Sequence, residues 1–177
     1  STALQTVMLV ATYFGEEEIQ WTNQSEKTIG LILSILLIQI VAILGAFLAA
    51  KSSSRYGNIK TLIVINLIWG VLCLVAFFIK TPIQFYFVAG FVGLVMGALQ
   101  PLSRSTFSKF MPETVDTTSY FSFYGVTEKI SIIIGMFLFG FIDQITGSMR
   151  NSILPFLFFF ILGAYLLIRI SNKFELN

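Results

Sequence analysis

The chain has 177 residues, is 56% hydrophobic and 11% charged, and carries a net charge of +2. A soluble domain carries about 25% charged residues, so this chain lacks the polar surface to cover a water-exposed globule, and its natural solvent is lipid. The small net charge argues against a nucleic-acid partner. The absence of His removes His-based catalytic pairs, zinc motifs and imidazole relays, and a lone Cys73 leaves no intrachain disulfide.

Ser1–Phe14 is apolar but too short to span a bilayer, which takes about 20 residues. It reads as the last part of a helix that begins outside this chain, with a short interfacial segment as the alternative. The chain opens on Ser without a basic-then-apolar leader, so a fragment or a processed product is expected. Five full spans follow: Ile29–Ala50, Thr61–Ile79, Ile83–Leu102, Tyr120–Ile145 and Ser152–Ile170. None alternates with period two, as barrel strands would. Lipid-spanning backbone must satisfy its own hydrogen bonds, so the fold class is all-α, a polytopic transmembrane bundle of six helices with the first one truncated.

The connections are short. GEEEIQWTNQSEK, from Gly15, is an acidic loop, solvated or else cation-binding, with Trp21 placed as an interfacial anchor. Residues 51–60 form a basic loop, Lys80-Thr-Pro82 a tight turn, and residues 103–118 a longer polar loop. Lys51, Arg55, Lys60, Arg104, Lys109, Arg169 and Lys173 fall on one side, against Lys27, Lys80 and Arg150 on the other. The first side should be cytoplasmic, with the C-terminus inside. Small residues at four-residue spacing, Ala42-Ala46-Ala50 and Ala89-Gly93-Gly97, mark close helix packing.

Polar groups within the lipid zone are candidates for function, because burial in hydrocarbon must be offset by a partner or by water. They are Gln5, Thr6, Gln39, Asn66, Gln100, Tyr124, Glu128 and Lys129. An amide among them can also simply bridge two helices. From Thr118 to Ile145 the helix is about 42 Å long, so Glu128 and Lys129 lie about a third of the way in from the basic side of a ~30 Å layer. Glu128 shares a small, polar face with Tyr124, Ser131 and Gly135, while Lys129 sits on the next face with Gly125 and Ser122. Lys129 can snorkel to the surface or offer a cation to a carboxylate-bearing solute; Glu128 can be protonated, pair with Arg104 or line a cavity. Only Asp116 and Asp143 are present as aspartates, both near helix ends, and Ser131 and Lys129 are two residues apart on different faces. Neither an intramembrane enzyme nor a cofactor or metal site is expected.

The stretches that carry most information are AKSSSRYGNIK, GALQPLSRSTFSKFMPE and YFSFYGVTEKISIIIG, which begin at Ala50, Gly97 and Tyr120. The first resembles the cytoplasmic loop motif of the major facilitator superfamily, G-x-x-x-D-R-x-G-R-K/R. Arg55 and Gly57 match, while Ala50, Ser54 and Asn58 replace Gly, Asp and Arg. Loss of the Asp removes the charge lock this loop often forms. The other two resemble a branch that includes vacuolar amino-acid effluxers and their bacterial relatives. That branch carries Q-x-L-S-R-S-x-F-x-K/R-x-x-P, then F-G-x-Y-x-x-x-G-K/R. Gln100, Leu102, Ser103, Arg104, Ser105, Phe107, Lys109 and Pro112 match the first pattern. Phe121, Tyr124 and Lys129 fit the second, Phe123 falls one place off, and Glu128 stands where the branch has Gly. LQTVML, from Leu4, is similar to the branch's seventh helix entered midway.

The resemblance implies the C-terminal six-helix half of a twelve-helix fold, a solute cavity between two halves, and alternating access by rocking. It makes the expected function secondary or facilitative transport of a small polar solute, with amino-acid efflux foremost and a non-transporting membrane scaffold as the alternative. Cavity candidates are Gln5, Gln39, Gln100, Tyr124, Glu128 and Lys129; gate or loop candidates are Arg55, Gly57, Arg104 and Lys109. Expected partners are membrane lipid, the solute, and either an absent N-terminal half or a second copy. A bacterial cytoplasmic membrane is the expected location.

Overall fold

The computed structural model describes residues 11–111 and 117–175, all helices and short connections. Residues 11–17 form α1, the described part of the expected first helix. Then come α2 (Gln24–Tyr56), α3 (Asn58–Phe78), α4 (Pro82–Phe110), α5 (Thr117–Thr146), a 3₁₀ turn (Asn151–Ile153) and α6 (Leu154–Glu175). Among the described residues, five helices are long and apolar enough to cross a membrane. Their outward faces carry Ile40, Ile43, Phe47, Phe87 and Phe137, all exposed, which is unfavourable in water and ordinary against lipid tails.

Local chemistry sets the helix ends. Asn23 caps α2 by accepting from the Glu26 amide at 2.9 Å, and the Glu26 carboxylate accepts from the Thr22 amide at 3.1 Å. Thr81 and Gln84 form a reciprocal capping box on α4, with Pro82 in the first turn, where its missing N–H costs nothing. Between α2 and α3 stands a single residue, Gly57, at φ 87° and ψ 156°, a backbone region that essentially only glycine occupies.

The expected loop from 103 is instead helical to Phe110, and α4 runs through Pro101. Its polar residues are the protruding last turns of an over-long helix. Thr106 bonds back to the Leu102 carbonyl at 2.7 Å and is buried. Arg104 and Lys109 are therefore helix residues, and Pro112 lies outside the described residues.

The tightest seam joins α2 to α4. A Cβ on Gly93 would sit 2.5 Å from the Ile38 carbonyl oxygen, one on Gly97 1.9 Å from that of Ala42, and one on Gly45 1.8 Å from that of Leu94. The α4 stripe is the expected one. On α2, however, the buried face runs Ser34, Gly45, Ala49, while Ala50 is exposed. Each four-residue step turns the helix by about 40°, so a stripe counted only in fours drifts off the seam. Behind this seam α3 packs on α6. The Trp69 and Phe160 rings stack at 5.4 Å and 4°, and the Asn66 amide donates to the Phe160 carbonyl. α5 is the least embedded long helix: only Gly135 and Phe139 are buried along it, Phe139 stacking on Phe156.

Candidate functional site

Residues 100, 103, 104 and 107 follow the i, i+3, i+4, i+7 spacing of one helical face. On α4 these are Gln100, Ser103, Arg104 and Phe107. Antiparallel to them, α5 presents Phe121, Tyr124 and Glu128. The two faces meet as a zipper. The Ser103 and Tyr124 hydroxyls are 3.1 Å apart, and the Phe107 ring packs against Tyr124 at 5.0 Å and Phe121 at 5.9 Å. Arg104 reaches Glu128 at 3.6 Å, which is the pairing considered for Glu128 from sequence. That distance is a charge contact rather than a good hydrogen bond.

Behind the zipper lies a cavity of about 260 Å³. α4 and α5 give it Gln100, Ser103, Arg104, Tyr124 and Glu128; α3 adds Asn66, and α6 closes it with Gly163, Leu166 and Leu167. Counting along the helices, Arg104 lies about 9 Å from the Phe110 end of α4 and Tyr124 about 10 Å from the start of α5. The cavity therefore occupies the third of the bundle nearest the basic end. Glu128 is mostly buried there, its side chain 15% exposed against 62% for Arg104. Two other spaces are oily. A chamber of about 70 Å³ beside Trp69 and Cys73 is lined by apolar side chains, and so, apart from Tyr86, is a groove between α2 and α4 at Leu37, Phe87 and Phe91.

The structure thus divides the sequence-derived candidates. Gln100, Tyr124 and Glu128 converge on one cavity. Gln39 borders a separate space of about 220 Å³ beside Thr12 and Ser34. Lys129 is exposed and does not line the Gln100 cavity, its face being turned about 100° from that of Glu128. Gln5 lies outside the described residues. Asn66 does bridge two helices, and it borders the cavity as well.

At the basic end, Arg55 is exposed and lies over the Tyr56 ring at 5.4 Å. The organising residue there is Asn58, visible in the sequence only as a departure from the loop motif. Its Oδ1 accepts from the Lys109 ammonium at 2.9 Å and from the Ser53 hydroxyl, and its Nδ2 donates to Ser105 at 3.4 Å and Thr106 at 3.3 Å. One buried, neutral amide therefore ties the ends of α2, α3 and α4 together, Lys109 being the cation it holds, in the region where the motif usually places a charge lock.

The opposite end has its own tie. Arg150, in the turn before α6, donates from Nε to the Glu18 carboxylate at 2.6 Å, from Nη1 to the Phe77 carbonyl at 2.9 Å and from Nη2 to the Glu18 carbonyl at 3.1 Å. The expected solvated acidic loop is thus partly internal: Glu18 is bound to Arg150, and Glu16 pairs with Lys27 at 3.2 Å. Trp21 is a plug between helices. Its N–H donates to the Gly15 carbonyl at 2.7 Å, and its ring fills the space a Cβ on Gly30 would need.

The sequence profile of a family described as vacuole effluxer Atg22-like matches residues 1–173. The chain is 28% identical over 137 residues to the uncharacterized MFS-type transporter YxiO of Bacillus subtilis, covering 77% of this chain and 32% of that protein. It is 32% identical over 174 residues to autophagy-related protein 22 of Saccharomyces cerevisiae, covering 92% of this chain and 31% of that protein. The chain spans about a third of the length of the curated relatives it matches. No solved structure matches it.

Proposed function

Because this chain belongs to the vacuole effluxer Atg22-like family, we propose that it forms the C-terminal half of a membrane transporter for a small polar solute, with amino acids foremost. The observation that carries this reading is the cavity among α3, α4, α5 and α6. Gln100, Tyr124, Glu128 and Arg104 gather there, within the helices rather than at their ends. Polar groups brought together there supply affinity without covalent chemistry. Movement comes from two packings of near-equal energy, the halves rocking about the solute. Lys129, on the neighbouring face of α5, is placed to meet solute or partner half from the side this half leaves open.

The basic end, with Lys51, Arg55, Lys60 and Lys109, is assigned to the cytoplasm by the excess of cations, which also puts the C-terminus inside. For a bacterial chain the membrane is the cytoplasmic one. The second half is an N-terminal segment of the longer protein, with self-association as the alternative tested alongside.

The test is flux of labelled neutral amino acids into proteoliposomes that contain the complete protein. Gln100→Ala and Lys129→Ala each lower flux at least about tenfold, equivalent to about 1.4 kcal/mol. Unchanged flux in both variants removes the cavity assignment. Absence of flux in the unaltered protein, with other polar solutes also retained outside, favours a scaffold.

A further inference from the structure

The Arg104–Glu128 contact is long for an ion pair, is made from an arginine that is 62% exposed, and crosses between two helices of unequal anchorage. α4 is fixed along its length by the glycine seam with α2 and by the Asn58 knot. α5 is fixed chiefly at the far end, where Gly135 and Phe139 are buried; its residues 117–123 are exposed. Towards the basic end α5 thus leans on α4 through side chains, and the cavity lies directly behind that contact.

We propose that Arg104 and Glu128 are the two poles of a zwitterion site that rest against each other when the site is empty. This rests on the transport reading for its choice of amino acids. An α-amino acid carries the complementary charges. Its carboxylate can take the Arg104 guanidinium as a two-pronged, hydrogen-bonded partner, and its ammonium can take the Glu128 carboxylate. The 3.6 Å contact between Arg104 and Glu128 is then exchanged for shorter, charge-assisted hydrogen bonds. The solute acts as a wedge: it parts the basic end of α5 from α4 and opens the cavity, with Gln100 and Tyr124 next to the arriving molecule.

The experiment measures thiol labelling in the complete protein carrying L99C, because Leu99 is buried on the cavity wall. A membrane-impermeant methanethiosulfonate is the reagent, and mass spectrometry separates this site from Cys73, which is buried in the oily chamber and serves as the internal control. E128Q and R104Q each speed labelling about three- to fivefold, the range set by a partly exposed ion pair, while Cys73 is unaffected. The charge-reversed pair R104E/E128R labels as slowly as the parent. An equimolar mixture of neutral L-α-amino acids speeds labelling of the parent, but the matching α-amides and N-acetyl derivatives do not. Parent-like labelling in E128Q, rapid labelling in the reversed pair, or equal acceleration by amides overturns the proposal, as does no response to the amino acids. If E128Q does not purify as a folded species, R104Q and the reversed pair decide. Since no flux is measured, a protein that opens to amino acids without transporting them would refute the transport reading and leave the site standing.

Discussion

A single methyl group on Gly45 forces α2 and α4 apart. The added Cβ would lie 1.8 Å from the Leu94 carbonyl oxygen, 2.7 Å from its carbonyl carbon and 2.9 Å from its Cα. Those atoms are helix backbone and cannot rotate away as a side chain would. Restoring even a 3.0 Å separation opens the seam by about 1.2 Å, and a gap of 0.5–1 Å already forfeits about a quarter to a half of each dispersion contact across it. The seam holds Ile38 against Gly93 and Ala42 against Gly97 too, so the loss spreads over several turns. Overpacking of this kind costs about 3 kcal/mol, the upper end of its usual range. The better helix propensity of Ala returns about 1 kcal/mol, for a net loss of about 2 kcal/mol in Gly45→Ala. Gly90 is the matched control on the facing helix. A Cβ there meets only the Leu37 Cδ2 at 3.9 Å, an ordinary contact, so Gly90→Ala keeps the propensity gain and is neutral or up to about 1 kcal/mol more stable. Equilibrium unfolding by sodium dodecyl sulfate in mixed micelles, followed by the fluorescence of Trp21 and Trp69, measures both. Indistinguishable midpoints for the two variants would refute the close-seam argument.

Gly57→Ala and Gly57→Asn should each destabilise by about 1–3 kcal/mol, since the cost lies in the φ 87°, ψ 156° backbone and no neighbour stands within 4 Å of the missing Cβ; rescue by Asn would show the turn to be ordinary left-handed backbone. Asn58→Ala leaves Lys109, Ser105 and Thr106 without their common partner, at a cost of about 2 kcal/mol. Its sign is faster protease cleavage after Lys109, and unchanged cleavage would mean that the knot is dispensable. Arg150→Lys keeps the charge but cannot reproduce the three-way donation to Glu18 and Phe77. A loss of about 1–2 kcal/mol is expected, read as a lower unfolding midpoint in the same micelle assay, and an unchanged midpoint would make Arg150 a replaceable surface cation.

The cavity was partly legible in advance because polar residues in an apolar helix are conspicuous. Gln100, Tyr124 and Glu128 stood out by type alone, and spacing put Tyr124 and Glu128 on one face. Lys129 stood out equally, yet a step of one residue turns a side chain by about 100° and removes it from that cavity. Gln39 borders a different space, because nothing local says which neighbouring helix its face meets. Asn58 and Arg150 were the least visible. A buried amide knot and a three-way arginine tie exist only when residues as far apart as Glu18 and Arg150, or Asn58 and Lys109, are brought together.

Composition and hydropathy by themselves determined the solvent, the helical class and the positions of the spans. Each follows from a local requirement: backbone in hydrocarbon must bond to itself, and a span must match the layer's thickness. Capping residues and the lone Gly57 fixed where helices begin and turn, again through contacts within a few residues. Only the tertiary structure decided which face of each helix is internal. In a lipid-soluble bundle most faces are equally apolar, so hydropathy carries no inward direction and close packing must choose. The same packing decided that α4 continues past Leu102, that the seam on α2 runs through Gly45 rather than Ala46, and that Arg104 meets Glu128 in front of the cavity.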